Sequence, residues 1–419
     1  MSRTDEYFTD ILRAFVNETT IPISEEVDWA RIYWLAKIHS VSGIIGYMLK
    51  QLPPEQQPVN EYVSKFFQIY NSTILCCAGR GIVMDRLLES YGDAGVPAVP
   101  MKGYIVRDFY PVKELRTFGD IDFLIREEDR EKSHELMLAK GYICTHPSLT
   151  VFQQGGDVWT YESANKQEMY EIHTSLLSAN INGNSEYVEY VRHAWEHVNC
   201  VNHVNFDGET NQYRFNETFH FIYVLLHLAK HCASFGAGIR MFMDIALIVK
   251  AAPPIDWDAV MREMRELELD DFFGMVMTLC NRWFGTVSPV EIGTKVDTVL
   301  CDELSGYILS GGVFGFENED ESTLKMKKSR DSLGAVSGRK IKLHVILKEL
   351  FAEFPFMSSR YPVLKKVPFL LPIFWVMRWI DIFIHQRKRG AQLVKGVFDD
   401  KDIQKSYRML SAMGLNTKR

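Results

Sequence analysis

The chain lacks most of the features that would assign it at a glance. It has only seven cysteines, Cys76, Cys77, Cys144, Cys200, Cys232, Cys280 and Cys301, an odd number without any CxxC spacing. A disulfide framework or a Cys-type zinc site is not expected, and a reducing cytoplasm is the expected compartment. The N-terminal stretch MSRTDEYFTD carries no apolar core of the kind a secretory signal needs. No Gly-rich P-loop is present, because Gly311-Gly312-Val313-Phe314-Gly315 is not followed by Lys-Ser/Thr and reads as a turn. No Ser-His-Asp set stands out. There is no basic excess either: 47 Lys+Arg against 54 Asp+Glu give −7, which argues against a surface built to wrap duplex nucleic acid.

What is present is an ordinary globular composition, 47% hydrophobic and 24% charged over 419 residues. That length suggests about two to three domains and is enough for a full-sized core. The charge is unevenly placed. Residues 325–396 hold 16 Lys/Arg and 4 Asp/Glu, a net of +12, and residues 1–324 carry −21. An acidic body with a basic C-terminal segment points to two different partners.

Apolar spacing predicts helices through residues 1–91, with a long one from about Asn60 to Tyr91. The character changes at Val96-Pro97-Ala98-Val99-Pro100, an extended run. A helix over Gly103–Tyr110, a strand over Ile121–Ile125 and a charged helix over Glu127–Lys140 follow. Tyr142–Cys144, Val158–Glu162 and Met169–His173 alternate as strands. The fold class is therefore α+β: a small mixed sheet over 92–215, embedded between N- and C-terminal helical regions. A helical region covers 216–316, 317–340 reads as a solvated linker, and 341–419 as a basic, apolar C-terminal helical segment. Within the last, VPFLLPIFWVMRWIDIFI at 367–384 is near membrane-span length, but Pro368, Pro372, Arg378 and Asp381 oppose spanning. Lys365-Lys366 and Arg387-Lys388-Arg389 flank it. Residues 360–390 are thus either a helix packed on the body or an interfacial helix contacting anionic lipid at the inner membrane face.

The chemistry-bearing stretch is Arg116-Thr117-Phe118-Gly119-Asp120-Ile121-Asp122. Alternation on a strand projects Asp120 and Asp122 to one side and Ile121 and Phe123 to the other. Adjacent carboxylates repel unless a cation lies between them, and Mg²⁺ takes such oxygens together with phosphate and water. The same pair is equally compatible with a solvated strand edge. Upstream, Gly103 at a helix start offers backbone N–H groups to an anion, and Lys102 adds charge. Downstream, Glu171 and His173 share a strand face. If that strand neighbours the Asp pair, Glu171 becomes a third acid, and three acids can hold two Mg²⁺ ions.

Lys102-Gly103, Tyr110, Arg116-x-x-Gly119-Asp120-x-Asp122 and Glu171-x-His173 together resemble the polymerase-beta-like nucleotidyltransferase superfamily, and within it a large, poorly characterised bacterial family. The similarity extends to His227-x-x-x-His231 and Arg240-x-x-x-Asp244, over about residues 28–285. The resemblance implies Mg²⁺, one ion or two, on Asp120, Asp122 and Glu171, with Glu171 as ligand or base. It implies nucleotide contacts from Lys102, Gly103, Arg116, Gly119, Lys230 and Arg240. His173, His227, His231 and Asp244 would support them. The implied reaction is transfer of a nucleoside monophosphate from a nucleoside triphosphate to a hydroxyl acceptor (a sugar, a metabolite or a protein side chain), releasing pyrophosphate. Two departures stand out: Tyr104 follows Gly103 where the superfamily commonly has serine, and the third acid is Glu rather than Asp.

Other readings of single residues stay open. His227 and His231 are either interface histidines or cleft residues. Arg240 and Asp244 form an i,i+4 ion pair or line the cleft. Arg116 contacts phosphate or ties down Asp120 or Asp108. His173 backs the acids or sits on a surface strand. Two rival functions are a non-catalytic nucleotide-binding module and a peripheral membrane scaffold.

Overall fold

The structure is a computed structural model that describes residues 2–22, 27–145, 158–166, 168–177, 185–204, 208–234, 236–292, 298–312, 351, 354, 357, 363–385 and 408–415. The expected linker at 317–340 lies outside the described residues.

The N-terminal region is helical, as expected. Helix α1 spans Arg3–Asn17, α2 Trp29–Ile38, α3 Ser42–Lys50 and α4 Glu61–Asp93. Side chains of Ser2, Asp28 and Asn60 cap α1, α2 and α4 by accepting N–H bonds of their first turns. The α4 helix has 33 residues and thus runs about 50 Å. Its last turns, through Met84, Leu87, Leu88 and Tyr91, lie in the core of the sheet layer, so one element ties the helical bundle to the sheet.

Five strands form that sheet: β1 Val99–Pro100, β2 Asp120–Leu124, β3 Ile143–Cys144, β4 Val158–Glu162 and β5 Met169–His173, in the order β1-β2-β5-β4-β3. Among the described residues of this sheet, only β2 and β5 run parallel; the other pairings are antiparallel. The register sets Asp122 opposite Glu171 and Leu124 opposite His173. With a side-chain period of two, Ile121, Phe123, Tyr170 and Ile172 enter one core under α4 and helix α6, Arg130–Ala139. Asp122, Glu171 and His173 consequently emerge together on the other face.

The expected helix over Gly103–Tyr110 is shorter and tighter. A single α-turn, α5 Gly103–Val106, passes directly into a 3-10 turn at Arg107–Phe109. A further helix and a hairpin escaped the sequence reading: α7 at Ser185–Arg192, then β6 Val198–Val204 paired with β7 Glu209–Phe215.

Behind the sheet come α8 Glu217–Ser234, α9 Ile239–Ala251, α10 Trp257–Glu266, α11 Asp270–Phe284 and α12 Thr298–Gly311. Their apolar faces merge with those of α1 to α3 into one continuous core, which includes Phe8, Phe219, Phe242 and Trp283. The C-terminal segment forms α13, Leu371–His385. Among the described residues no helix is long and apolar enough to cross a membrane.

Candidate active site

The acidic face of β2 and β5 looks into a cleft of about 650 Å³, closed on the other side by α8 and α9. Of the residues singled out from sequence, Lys102, Gly103, Arg116, Gly119, Asp120, Asp122, Glu171, His173, His227, Lys230, His231, Arg240 and Asp244 line it, and Tyr110 does not. The polar lining comes from the turn before α5, the loop entering β2, the two strands and the two helices. No short stretch of chain contains it.

At the centre, Asp122, Glu171 and His173 each offer a ligand atom, and these atoms lie within 4.8 Å of one another. The group is able to hold one metal ion. His173 Nε2 lies 2.9 Å from Asp122 Oδ1 and 3.6 Å from Glu171 Oε2. Its Nδ1 is buried without a partner among the described residues. The Lys102 ammonium donates to the same Asp122 Oδ1 at 2.6 Å. Burial works to raise the Asp122 carboxyl, but Lys102 and His173 outweigh it and hold the carboxyl well below the usual carboxylate range. Asp120 stands outside this tight group. Its carboxyl is raised by burial and by repulsion from Asp122 and Glu171, so the three acids do share one field.

Lys102 is itself constrained. It has φ +50°, a conformation unusual for a residue with a side chain, and it is half-buried beside Asp122 and Tyr223. Burial opposes its charge, but Tyr223 and Asp122 prevail and push the ammonium up, so it remains protonated. Tyr223, on α8, is a cleft neighbour that sequence reasoning missed; nothing in its spacing separates it from the other apolar residues of that helix.

Gly103 has a packing reason to be glycine. A Cβ there would meet Arg116 Nη1 at 3.0 Å and Phe118 Cβ at 3.3 Å. Arg116 pairs with neither Asp120 nor Asp108. Its Nε and Nη2 donate to the two oxygens of Asp244 at 2.9 and 2.7 Å, and Nη1 donates to the Thr117 carbonyl at 2.6 Å. Tyr110 donates to Asp244 at 2.6 Å. The i,i+4 pairing considered for Arg240 and Asp244 is therefore replaced by a long-range bidentate pair, the geometry that a planar guanidinium and a carboxylate favour. Arg240 turns instead to Thr117, donating to its carbonyl at 2.9 Å and its hydroxyl at 2.8 Å. Burial and the nearby Arg116 lower its guanidinium to about 10.

His227 and His231 face each other one turn apart, Nε2 to Nε2 at 3.1 Å. Burial, then the charges of Lys230 and Lys102, push His231 down to about 4, and burial with Lys102 takes His227 well below its ordinary value. Both are neutral near pH 7. Apolar lining from Val158, Leu176, Val224 and Leu228 completes the cleft.

A cleft with acids on a parallel strand pair, a metal-competent cluster and facing cations is suited to binding a phosphorylated ligand through a cation. No curated protein and no solved structure matches the chain. The family described as uncharacterised nucleotidyltransferase matches residues 25–285, more than half of the sequence and every residue of this cleft. The chain belongs to that polymerase-beta-like nucleotidyltransferase family.

Proposed function

We propose that the chain is a Mg²⁺-dependent nucleotidyltransferase, moving a nucleoside monophosphate from a nucleoside triphosphate to a hydroxyl acceptor. The observation that carries this reading is the Asp122–Glu171 register across β2 and β5, with His173 beside it, facing a cationic wall. Asp122 and Glu171 would hold the first ion, and Asp120, at the edge of the group, would join when a second ion arrives with the nucleotide. When bound, the metal supplies charge neutralisation at the transferred phosphate. His173 keeps Asp122 oriented and ionised through their 2.9 Å contact. Glu171, which is less buried than Asp122, is placed to take the proton of the acceptor hydroxyl. The acceptor oxygen bonds the α-phosphorus, the bond to the β-phosphate bridging oxygen breaks, and pyrophosphate leaves. Most of the acceleration would come from positioning and electrostatics.

Pyrophosphate release from the four nucleoside triphosphates, with candidate sugars and small alcohols as acceptors, tests the reading. Asp122→Asn and Glu171→Gln are each expected to lower the rate by about 10²-fold or more, the usual scale for removing one charge-stabilising group. Wild-type rates in both variants would rule the reading out.

Two alternatives each have an observation in their favour. A nucleotide-binding module without turnover is favoured by Tyr104 in the place of the superfamily's serine. It requires Mg²⁺-dependent nucleotide binding with no pyrophosphate produced under any acceptor. Peripheral contact with an anionic membrane is favoured by Phe369, Ile373, Val376 and Met377, exposed at helical spacing on and just before α13. Flotation of the full chain with anionic vesicles, lost in a Phe369→Ser/Ile373→Ser double variant, would support it; absence of flotation would remove it.

A further inference from the structure

Both cations expected to bind phosphate near the turn at Gly103 are already engaged. Lys102 is bonded to Asp122, and Arg116 is locked on Asp244 and the Thr117 carbonyl. Gly103 is accounted for by packing, since Arg116 and Phe118 occupy the space where a Cβ would project from it. The helix it opens is one turn long, so there is little dipole to attract an anion.

Across the cleft the situation is reversed. Lys230 and Arg240 make no ion pair among the described residues. Arg240 Nε and His231 Nδ1 are buried with no hydrogen-bond partner among those residues, and both side chains line the cleft. When His227 donates its Nε2–H to His231 Nε2, the neutral His231 carries its own proton on Nδ1 and holds that N–H as an unpaired donor. Buried donors without acceptors cost free energy unless an acceptor arrives. We infer that the polyphosphate end of the donor seats on the helical wall, on Lys230, His231, His227 and Arg240 of α8 and α9, and not on the Lys102–Gly103 turn. This deepens the nucleotidyltransferase reading: the strand acids take the metal side of the phosphates and the helices take the far side. It reassigns phosphate recognition in this chain from the sheet layer to the helical layer.

The test is calorimetric binding of inorganic tripolyphosphate to the full chain, without divalent metal and without nucleoside. Each variant removes a charged donor to the phosphates, so Lys230→Gln and Arg240→Gln are each expected to weaken binding by about tenfold or more. Lys230 is exposed enough that Lys230→Gln is expected to fold normally, even if Arg240→Gln, which loses two bonds to Thr117, does not. Lys50→Gln, an exposed lysine over Tyr70 and away from the cleft, is the charge control and is expected to bind as wild type. Wild-type affinity in Lys230→Gln overturns the inference. So does an equal loss in Lys50→Gln, or no binding by the wild type at millimolar tripolyphosphate. The ligand has no group to transfer, so the result is independent of turnover. Pyrophosphate release from a triphosphate that persists at full rate in Lys230→Gln and Arg240→Gln would leave the enzyme reading standing and remove the wall.

Discussion

Histidine protonation gives the sharpest residue-scale expectation. His39 is fully buried, its Nδ1 accepting the Ile239 N–H at 3.3 Å and its Nε2 donating to the Leu309 carbonyl at 2.9 Å. Burial, outweighing the bond to Leu309, lowers it from 6.5 to about 4. The unfolded chain therefore takes up a proton on this residue below about pH 6.5, while the folded chain does not until about pH 4. Unfolding binds more protons in that window, so stability falls as pH falls, by up to about 3 kcal/mol for a shift of this size. His39→Gln cannot titrate, and its melting temperature is expected to decline less steeply from pH 6.5 to 4.5 than that of the wild type. Parallel slopes would mean that His39 is not buried neutral. Asp122 is a different case. Removing its charge leaves the half-buried Lys102 without its carboxylate, so Asp122→Ala is expected to cost about 1–3 kcal/mol of stability, and Asp122→Asn less. Chemical denaturation of both variants checks the order, and equal stability of the two would contradict it. At this scale the sequence was informative wherever chemistry forced a pattern: alternation around Asp120 and Asp122 identified the inward face. It could not show that Arg116 would reach Asp244, because a pairing 128 positions apart leaves no local trace.

Elements were legible where burial imposed one clean period. Strand β4 alternates buried and more exposed residues along its length, β5 does so up to Ile172, and their bounds match the expected Val158–Glu162 and Met169–His173. The hairpin β6–β7 was not legible. In Val198–Val204 the valines fall at 198, 201 and 204, three apart, which fits neither a strand face nor a helix stripe. The apolar residues after Lys102 suit a longer helix, but the chain passes into a 3-10 turn at Arg107, whose buried guanidinium lies over the Tyr104 ring. Helix packing gives a paired expectation. A Cβ on Gly46 of α3 would fall on the Phe66 carbonyl of α4, whose backbone cannot yield, so Gly46→Ala is expected to destabilise by at least about 2 kcal/mol. Gly79, exposed within α4, has nothing within 4 Å of such a Cβ, and Gly79→Ala is expected to stabilise by about 0.5–1 kcal/mol. Urea unfolding of the two variants reads both signs; a stable Gly46→Ala would mean that α3 and α4 do not pack this closely.

Across the whole molecule, two layers meet at the cleft. The sheet layer supplies the acids, the helical layer supplies Lys230, Arg240 and the histidine pair, and α4 belongs to the cores of both. This division explains why the functional residues are dispersed from Lys102 to Asp244 and yet converge. The proposed function and the inferred phosphate wall assign each layer a separate role, metal on one side and phosphate on the other. Mg²⁺-dependent nucleotide binding at Asp122 is read most directly by a thermal-shift panel of the four nucleoside triphosphates, with and without Mg²⁺, on wild type and Asp122→Asn. A ligand that binds the native state raises apparent stability by mass action. The expected result is stabilisation by at least one nucleotide that requires Mg²⁺ and disappears in Asp122→Asn. Mg²⁺-dependent stabilisation that survives unchanged in Asp122→Asn would contradict the account.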